Sequence, residues 1–171
     1  MFENKKDSCQ LTRFLSHLKQ YPHAIAIIRG SRQYPQIHGS VRFYQTQYGV
    51  LTAAELFGLP SPEEVCKSPV FGFHIHEGGE CSGNKKDPFA DTGMHYDPNG
   101  CEHPYHAGDM PPLFGNHGYA LSIFLTDRFP INDIIGKAII VHSMPDDFHT
   151  QPSGNSGDKI ACGLIRALDL R

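Results

Sequence analysis

The sequence of 171 residues contains no tryptophan, no CxxC pair among its five cysteines and no apolar run approaching the ~20 residues of a membrane-spanning helix. The missing apolar run argues against a membrane protein, and the missing CxxC pairs exclude a zinc ribbon. The formal net charge at pH 7 is only −3. Charge therefore gives no reason to expect nucleic acid or an anionic membrane as a partner.

A secretory signal peptide is also missing from the first twenty residues, because Arg13, His17 and Lys19 interrupt what would be its apolar segment. We therefore expect a cytoplasmic protein; a secreted protein whose leader has been removed is the alternative. Hydrophobic residues make up 39% of the chain and charged residues 19%, values typical of a soluble globular protein. The length suits one compact domain.

The first 23 residues differ from the rest of the chain. Leu11, Phe14, Leu15 and Leu18 have the i, i+3, i+4, i+7 spacing of an amphipathic helix. Tyr21-Pro22 ends this pattern, because proline cannot continue a helix. The sequence therefore predicts a short N-terminal helical arm over residues 1–23, without an assigned role, followed by one domain over residues 24–171.

Residues 24–171 consist of short β-like segments separated by turns, a pattern typical of an all-β antiparallel sandwich or barrel. Two long loops rich in glycine, proline, asparagine and aspartate interrupt the segments, at 77–118 and 143–158. A loop as long as the first is usually either functional or disordered, and this one contains four histidines. A bound ion would hold it in place. The predicted strands are 25–28, 37–47, 50–57, 70–76, 119–125, 137–142 and 159–167.

Eleven histidines are present, and two of them form an HxH motif in a predicted strand. Alternate side chains of a strand share a face, so Phe73 and Ile75 point into a core while His74 and His76 point together to the other side. Two imidazoles on one face can chelate one ion. By itself the motif is weak evidence, because many HxH pairs lie on the surface by chance.

The loop after this strand carries His95, His103, His106 and Asp109. A cluster of imidazoles and one carboxylate in a loop restricted by proline and glycine suits a closed tetrahedral zinc site. His142 follows at the end of the apolar strand 138–141. Each of these residues alone has an ordinary interpretation, as a polar loop or a surface histidine at a strand end. A chance origin for the whole set is improbable.

Several segments, taken in their order along the chain, resemble the successive motifs of the copper/zinc superoxide dismutases, and of their bacterial branch in particular. The resemblance extends over roughly residues 24–168. It implies a Greek-key antiparallel β-sandwich or barrel with long metal-binding loops, and an enzyme that converts superoxide to oxygen and hydrogen peroxide. A homodimer is possible on the same basis. The matching segments are HIHEGGEC, GMHYDP, HAGD, IIVHSMPDD and GNSGDKIACG.

The resemblance implies two metal sites, with copper (Cu) as the redox-active ion and zinc (Zn) as the structural one. His95 belongs to both as a bridging imidazolate and takes up a proton during catalysis. Zinc has no accessible redox step, so copper must do the electron transfer. The implied copper ligands are His74, His76, His95 and His142, and the implied zinc ligands are His95, His103, His106 and Asp109.

Three further residues match family positions outside the ligand sets. Asp146 matches the carboxylate that links ligands of both metals, although a solvent-exposed turn acid is the ordinary alternative. Cys81 and Cys162 match the disulfide that joins the metal-binding loop to the last strand, with two reduced cysteines as the alternative in a reducing compartment. Cys9, Cys66 and Cys101 match nothing and receive no role.

The sequence departs from the family pattern in three places. Lys159 stands where the family usually has an arginine that guides the anionic substrate; lysine keeps the charge but loses the planar donor geometry, so we expect reduced activity. His103 and His106 are only three residues apart, closer than usual, with Pro104 between them. The segment 148–158 is shorter than in the family and has Asp158 as its single acid, which predicts weaker electrostatic steering.

Two other functions remain open from the sequence. The chain could be a domain of the same fold that stores or carries copper with little turnover. It could also bind zinc for structure alone and leave the copper position empty. The enzyme is favoured, because all four implied copper ligands are present.

Overall fold

The computed structural model describes residues 12, 15–61 and 69–168. Nine strands account for most of the regular structure, together with a 3-10 turn at Ala90–Thr92 and one short helix, α1, at Ile131–Ile134. No helix within these ranges is long and apolar enough to span a membrane. The strands are β1 (Ala24–Gly30), β2 (His38–Thr46), β3 (Gly49–Phe57), β4 (Val70–Phe71), β5 (Phe73–His76), β6 (Leu113–Phe114), β7 (Ala120–Thr126), β8 (Ala138–His142) and β9 (Lys159–Ala167).

Seven strands form one curled sheet in the order β5-β8-β9-β1-β2-β3-β7, and β4 pairs separately with β6. Every neighbouring pair is antiparallel. Strands β1, β2 and β3 are joined as consecutive hairpins, and β8 and β9 are also consecutive neighbours. Elsewhere the chain crosses between the two ends of the sheet, as in a Greek key. The predicted all-β Greek-key class is confirmed.

The curled sheet encloses an apolar core built from alternate residues of each strand. Val41 and Phe43 of β2 and Ile139 and Val141 of β8 are fully buried in one cluster. Phe73 and Ile75 join the same cluster, as the alternation in β5 predicts. The opposite face of β5 is therefore available for its two histidines.

Gly72 divides the predicted strand 70–76 into β4 and β5, so the prediction of one continuous strand is wrong. The Gly72 N–H donates to the Met144 carbonyl (2.7 Å) and the Gly72 carbonyl accepts from the His142 N–H (2.8 Å). A Cβ at position 72 would lie 2.8 Å from the Ser156 side chain, which is too close for any residue except glycine. The chain changes its pairing partner here, from β6 to β8.

Most of the predicted N-terminal helix, together with Cys9 and Cys66, lies outside the described residues. Residues 15–17 are helical, and β1 starts at Ala24. The division into an arm of 1–23 and a domain of 24–171 stays a prediction. The sequence did not predict β6 and α1, because elements of two and four residues are too short to show a periodicity.

Candidate metal centre

Strands β5 and β8 place three histidines beside one another under the long loops. His74 and His76 lie on β5, and His142 ends the neighbouring strand β8. All three are buried, with at most 5% of their surface exposed. The first long loop covers them by pairing with β5: the Tyr96 N–H donates to the Ile75 carbonyl (2.8 Å). Backbone bridges then set His95 opposite His76 and Asp109 opposite His74.

The first quartet consists of His74, His76, His95 and His142. One ring nitrogen of each lies within 4.8 Å of the others, and His76 Nε2 lies 3.4 Å from His142 Nε2. Buried His74 Nδ1 and His95 Nε2 have no hydrogen-bond partner among the described residues. A buried nitrogen without a partner is costly unless a ligand completes it.

The outer nitrogens of three of these rings are held by oxygen atoms. His74 Nε2 lies 2.7 Å from the Asp146 carboxylate, His76 Nδ1 lies 2.9 Å from the Gly93 carbonyl, and His142 Nδ1 lies 3.3 Å from the Gly157 carbonyl. An N–H donated outward leaves the other ring nitrogen as a lone pair directed at the centre. The quartet is thus arranged as four imidazole ligands for one ion.

The second quartet consists of His95, His103, His106 and Asp109, again within 4.8 Å of one another. Asp109 Oδ1 lies 2.7 Å from His95 Nδ1, and Oδ2 lies 3.1 and 3.3 Å from Nδ1 of His103 and His106. Within the described structure, those last two nitrogens have no hydrogen-bond partner. Three nitrogens and one carboxylate form the donor set of a tetrahedral zinc site. Although His103 and His106 are only three residues apart, both rings belong to the same quartet.

Cys81 and Cys162 form a disulfide in the structure. Cys81 lies in the loop that follows β5, and Cys162 lies in β9. The bridge therefore attaches the loop that carries His95 to the sheet. Cys101 is the free cysteine of the described residues and is exposed.

The comparisons with known proteins agree with this geometry. The family model described as "Copper/zinc superoxide dismutase (SODC)" matches residues 37–165, which is most of the chain. The chain belongs to the copper/zinc superoxide dismutase family.

Individual relatives within the family are bacterial proteins. "Superoxide dismutase [Cu-Zn] 2" of Aquifex aeolicus (strain VF5) is 36% identical over 146 residues, which cover 77% of this chain and 80% of the relative. "Superoxide dismutase [Cu-Zn]" of Legionella pneumophila is 34% identical over 144 residues, with the same coverage of 77% and 80%. A crystal structure of a double mutant of a SOD-like protein from Bacillus subtilis matches with a TM-score of 0.69 and 28% identity, covering 86% of this chain and 99% of that one.

Asp146 connects the two quartets of this dismutase-family site. One carboxylate oxygen lies 2.7 Å from His74 Nε2, and the other lies 2.9 Å from His103 Nε2. Burial alone would raise the pKa of Asp146, but the hydrogen bonds from His74 and from the Phe148 N–H hold it well below its usual range. Asp146 is therefore an ionised acceptor that orients one ring of each quartet.

Two residues that hold the backbone of the segment 103–109 were not predicted from the sequence. Arg128 Nη1 donates to the carbonyls of Pro104, His106 and Asp109 at 3.0, 3.3 and 3.1 Å. Gln151 donates to the His103 carbonyl (2.7 Å) and accepts from the His103 N–H (2.9 Å). Neither residue lies near His103 or His106 in sequence, and no motif marks them.

A cavity of about 220 Å³ opens onto the first quartet and is lined by His76, His95 and His142. Lys159 lies in its wall, with 14% of its side chain exposed. The structure therefore places the predicted guiding residue beside the histidines. The exposed His149 and His117 do not line the cavity.

The buried rings make the stability of the metal-free protein depend on pH. Burial lowers the pKa of His95 from 6.5 to about 4 and that of His142 to about 3. Between about pH 4 and 6.5 the unfolded chain binds more protons than the folded chain, so the free energy of unfolding rises with pH across this window. Urea unfolding of the metal-free protein should show a clearly lower midpoint at pH 4.5 than at pH 7. Equal midpoints would contradict the burial of neutral rings.

Proposed function

We propose that the chain is a superoxide dismutase that converts two superoxide ions and two protons into one O₂ and one H₂O₂. In this proposal copper is held by the first quartet and zinc by the second. The observation that carries it is His95, which belongs to both quartets: Nε2 is buried without a partner among the described residues, and Nδ1 meets Asp109. Family membership and the printed names of the relatives support the same activity.

The donor sets fit the two metals by their chemistry. Imidazole nitrogens suit copper, and a carboxylate with three imidazoles suits zinc. When bound, copper supplies the one-electron redox chemistry that neither zinc nor the imidazoles and carboxylate of the two quartets can provide. The buried carboxylate of Asp109 offsets cationic charge in the second quartet, and its pKa stays below the usual value: burial raises it, but the hydrogen bond with His95 outweighs that effect.

His95 is the residue we propose to carry a proton during turnover. Its ring lines the cavity, its Nε2 is buried without a partner among the described residues, and the contact of Nδ1 with Asp109 (2.7 Å) restrains the ring. A restrained ring can accept and return a proton at Nε2 without moving away. His76 and His142 are fixed by the carbonyls of Gly93 and Gly157. Their role is therefore to hold the metal ion, and not to transfer a proton.

The direct test is to load the protein with copper and zinc, quantify both metals and measure superoxide decay per bound copper. The zinc-only protein is the matched control. Fast decay that requires copper supports the dismutase. Stoichiometric copper with negligible turnover would instead indicate a copper carrier, and failure to bind copper at all would indicate a structural zinc domain.

Replacing Asp146 with asparagine should lower the affinity for both metals by about 10- to 100-fold, because carboxylates that orient metal-binding histidines contribute on this scale. Asparagine has nearly the same shape but offers only one acceptor oxygen, so it cannot accept from His74 and His103 together. Competition with a chelator measures both affinities. Asp127→Asn, at an exposed carboxylate outside both quartets, is the control. Loss of one metal alone would contradict the linking role.

Cytoplasmic location and homodimer formation stay predictions. The Cys81–Cys162 bridge is of a kind that usually persists in oxidising compartments, so it favours the alternative of a secreted protein. Counting the free thiols of protein taken directly from cells would decide whether the bridge forms there.

A further inference from the structure

Lys159 is held by a ring of oxygen atoms at the wall of the metal cavity. Its Nζ lies 3.2 Å from the Phe89 carbonyl, 3.2 Å from Thr92 Oγ1 and 3.4 Å from the Gly93 carbonyl. A fourth oxygen, Oδ2 of Asp87, lies 3.1 Å away. An ammonium group has three protons, so four acceptors leave no donor of Lys159 free for an incoming anion.

The three neutral acceptors and the charged acceptor affect Lys159 differently. The three neutral oxygens of Phe89, Thr92 and Gly93 are enough to occupy all three protons and to position the ammonium. Asp87 is therefore not needed to hold Lys159 in place. What Asp87 alone adds is a negative charge beside it.

The turn that contains Asp87 fixes the direction of its carboxylate. Oδ1 accepts from the Phe89 N–H at 2.9 Å, and the Asp87 N–H donates to Asn84 Oδ1 at 3.2 Å. With Oδ1 used by its own turn, Oδ2 is left to face Lys159. The ion pair is therefore built into the loop.

The charges around the cavity cancel in consequence. Among the described residues that line it, Lys86 and Lys159 are cationic and Asp87 and Asp158 are anionic. Such a cancelled set of side-chain charges adds little to the attraction that a bound copper ion exerts on an anion, because opposite charges side by side leave only a short-range field.

We infer that Asp87 is a counter-ion that neutralises Lys159 and limits the capture of small anions at the metal cavity. This inference rests on the proposed function, because the anion it concerns is the superoxide substrate. Asp87 then acts on the anion mainly by offsetting the charge of Lys159 and so sets the charge of the entrance. The lysine itself is accordingly an incomplete replacement for an arginine, since its three donors are already occupied.

The test is Asp87→Asn, which keeps Oδ1 for the Phe89 N–H and removes the charge. At low ionic strength we expect the second-order rate constant with superoxide to rise about threefold, within the range of electrostatic steering, and the gain to fade as salt is added. Azide binding to the copper protein, followed by visible absorption, should tighten by a similar factor. Azide reports anion capture without any turnover.

Two further variants separate the ion pair from a general change of charge. Asp158→Asn removes a charge from the same cavity wall, and its smaller gain should persist when Lys159 is replaced by methionine. The gain of Asp87→Asn should be smaller in the Lys159→Met background, where only the direct effect of the removed charge on the anion is left. An equal gain in both backgrounds would overturn the inference, as would unchanged azide affinity in Asp87→Asn.

The readouts also distinguish this inference from the proposed function. Tighter azide binding in Asp87→Asn without measurable superoxide turnover in any variant would support the counter-ion and refute the dismutase. Rapid turnover with no response of rate or azide affinity to Asp87→Asn would refute the counter-ion alone.

Discussion

His95→Ala should lower superoxide turnover by at least about 100-fold and weaken both metal sites at once. Mutation of a group that merely orients a metal ligand already costs about 10- to 100-fold, and His95 offers a nitrogen to each quartet. Its removal leaves three donors on each side and takes away the proposed proton carrier. Metal content after dialysis, measured together with the rate of superoxide decay, gives both effects in one preparation.

His142→Ala is the informative comparison for His95→Ala. His142 belongs to the first quartet alone, so this variant should lose copper and activity but retain zinc. His149→Ala changes a histidine whose side chain is 79% exposed and should leave metals and rate unchanged. If His95→Ala kept its zinc at full affinity, the shared-ligand arrangement would be wrong.

Cys81→Ser should lower the free energy of unfolding by about 4 kcal/mol, because the bridge to Cys162 closes a loop across 81 positions. For a chain of this length that corresponds to a decrease in Tm of roughly 10 °C. The exposed Cys81 is the better partner to replace, since Cys162 is buried and a thiol is tolerated in an apolar site. Calorimetry of the metal-free protein measures the change without a contribution from bound ions.

Cys101→Ser is the matched control for this loss of stability. Cys101 is exposed and free, so its replacement should change the free energy of unfolding by no more than about 0.5 kcal/mol. Wild-type protein treated with a reductant should unfold like Cys81→Ser. A Cys81→Ser protein as stable as the control would show that the bridge contributes nothing to folding.

The extent to which the site could be predicted depended on how local each signal is. The alternation in β5 alone separates Phe73 and Ile75 from His74 and His76, because strand geometry fixes which side chains share a face. His95, Asp109 and His142 carry no such local signal. They joined the prediction through ordered motifs that resemble one family, and the backbone pairing of the long loop with β5 then supplied their positions.

The break at Gly72 shows where local patterns fail. Residues 70–76 have the pattern of one strand, yet the chain changes partner at Gly72, where β4 pairs with β6 and β5 pairs with β8. The sequence pattern of one strand does not show where its partner strand lies. The same reason applies to Arg128 and Gln151, which support the His103–Asp109 segment from distant parts of the chain.

The sequence by itself determined the all-β class, most strand positions, the identity of the residues that could bind metal and the presence of a lysine near them. The class, the strand positions and the HxH pair depend on periodicity and spacing, which are properties of short segments, whereas the full ligand set and the lysine came from ordered motifs that resemble one family. Only the tertiary structure decided which nitrogens lack a partner among the described residues, which oxygen of Asp146 meets which ring and that Asp87 Oδ2 lies beside Lys159 Nζ. Those facts depend on distances between segments that the folded backbone alone brings together.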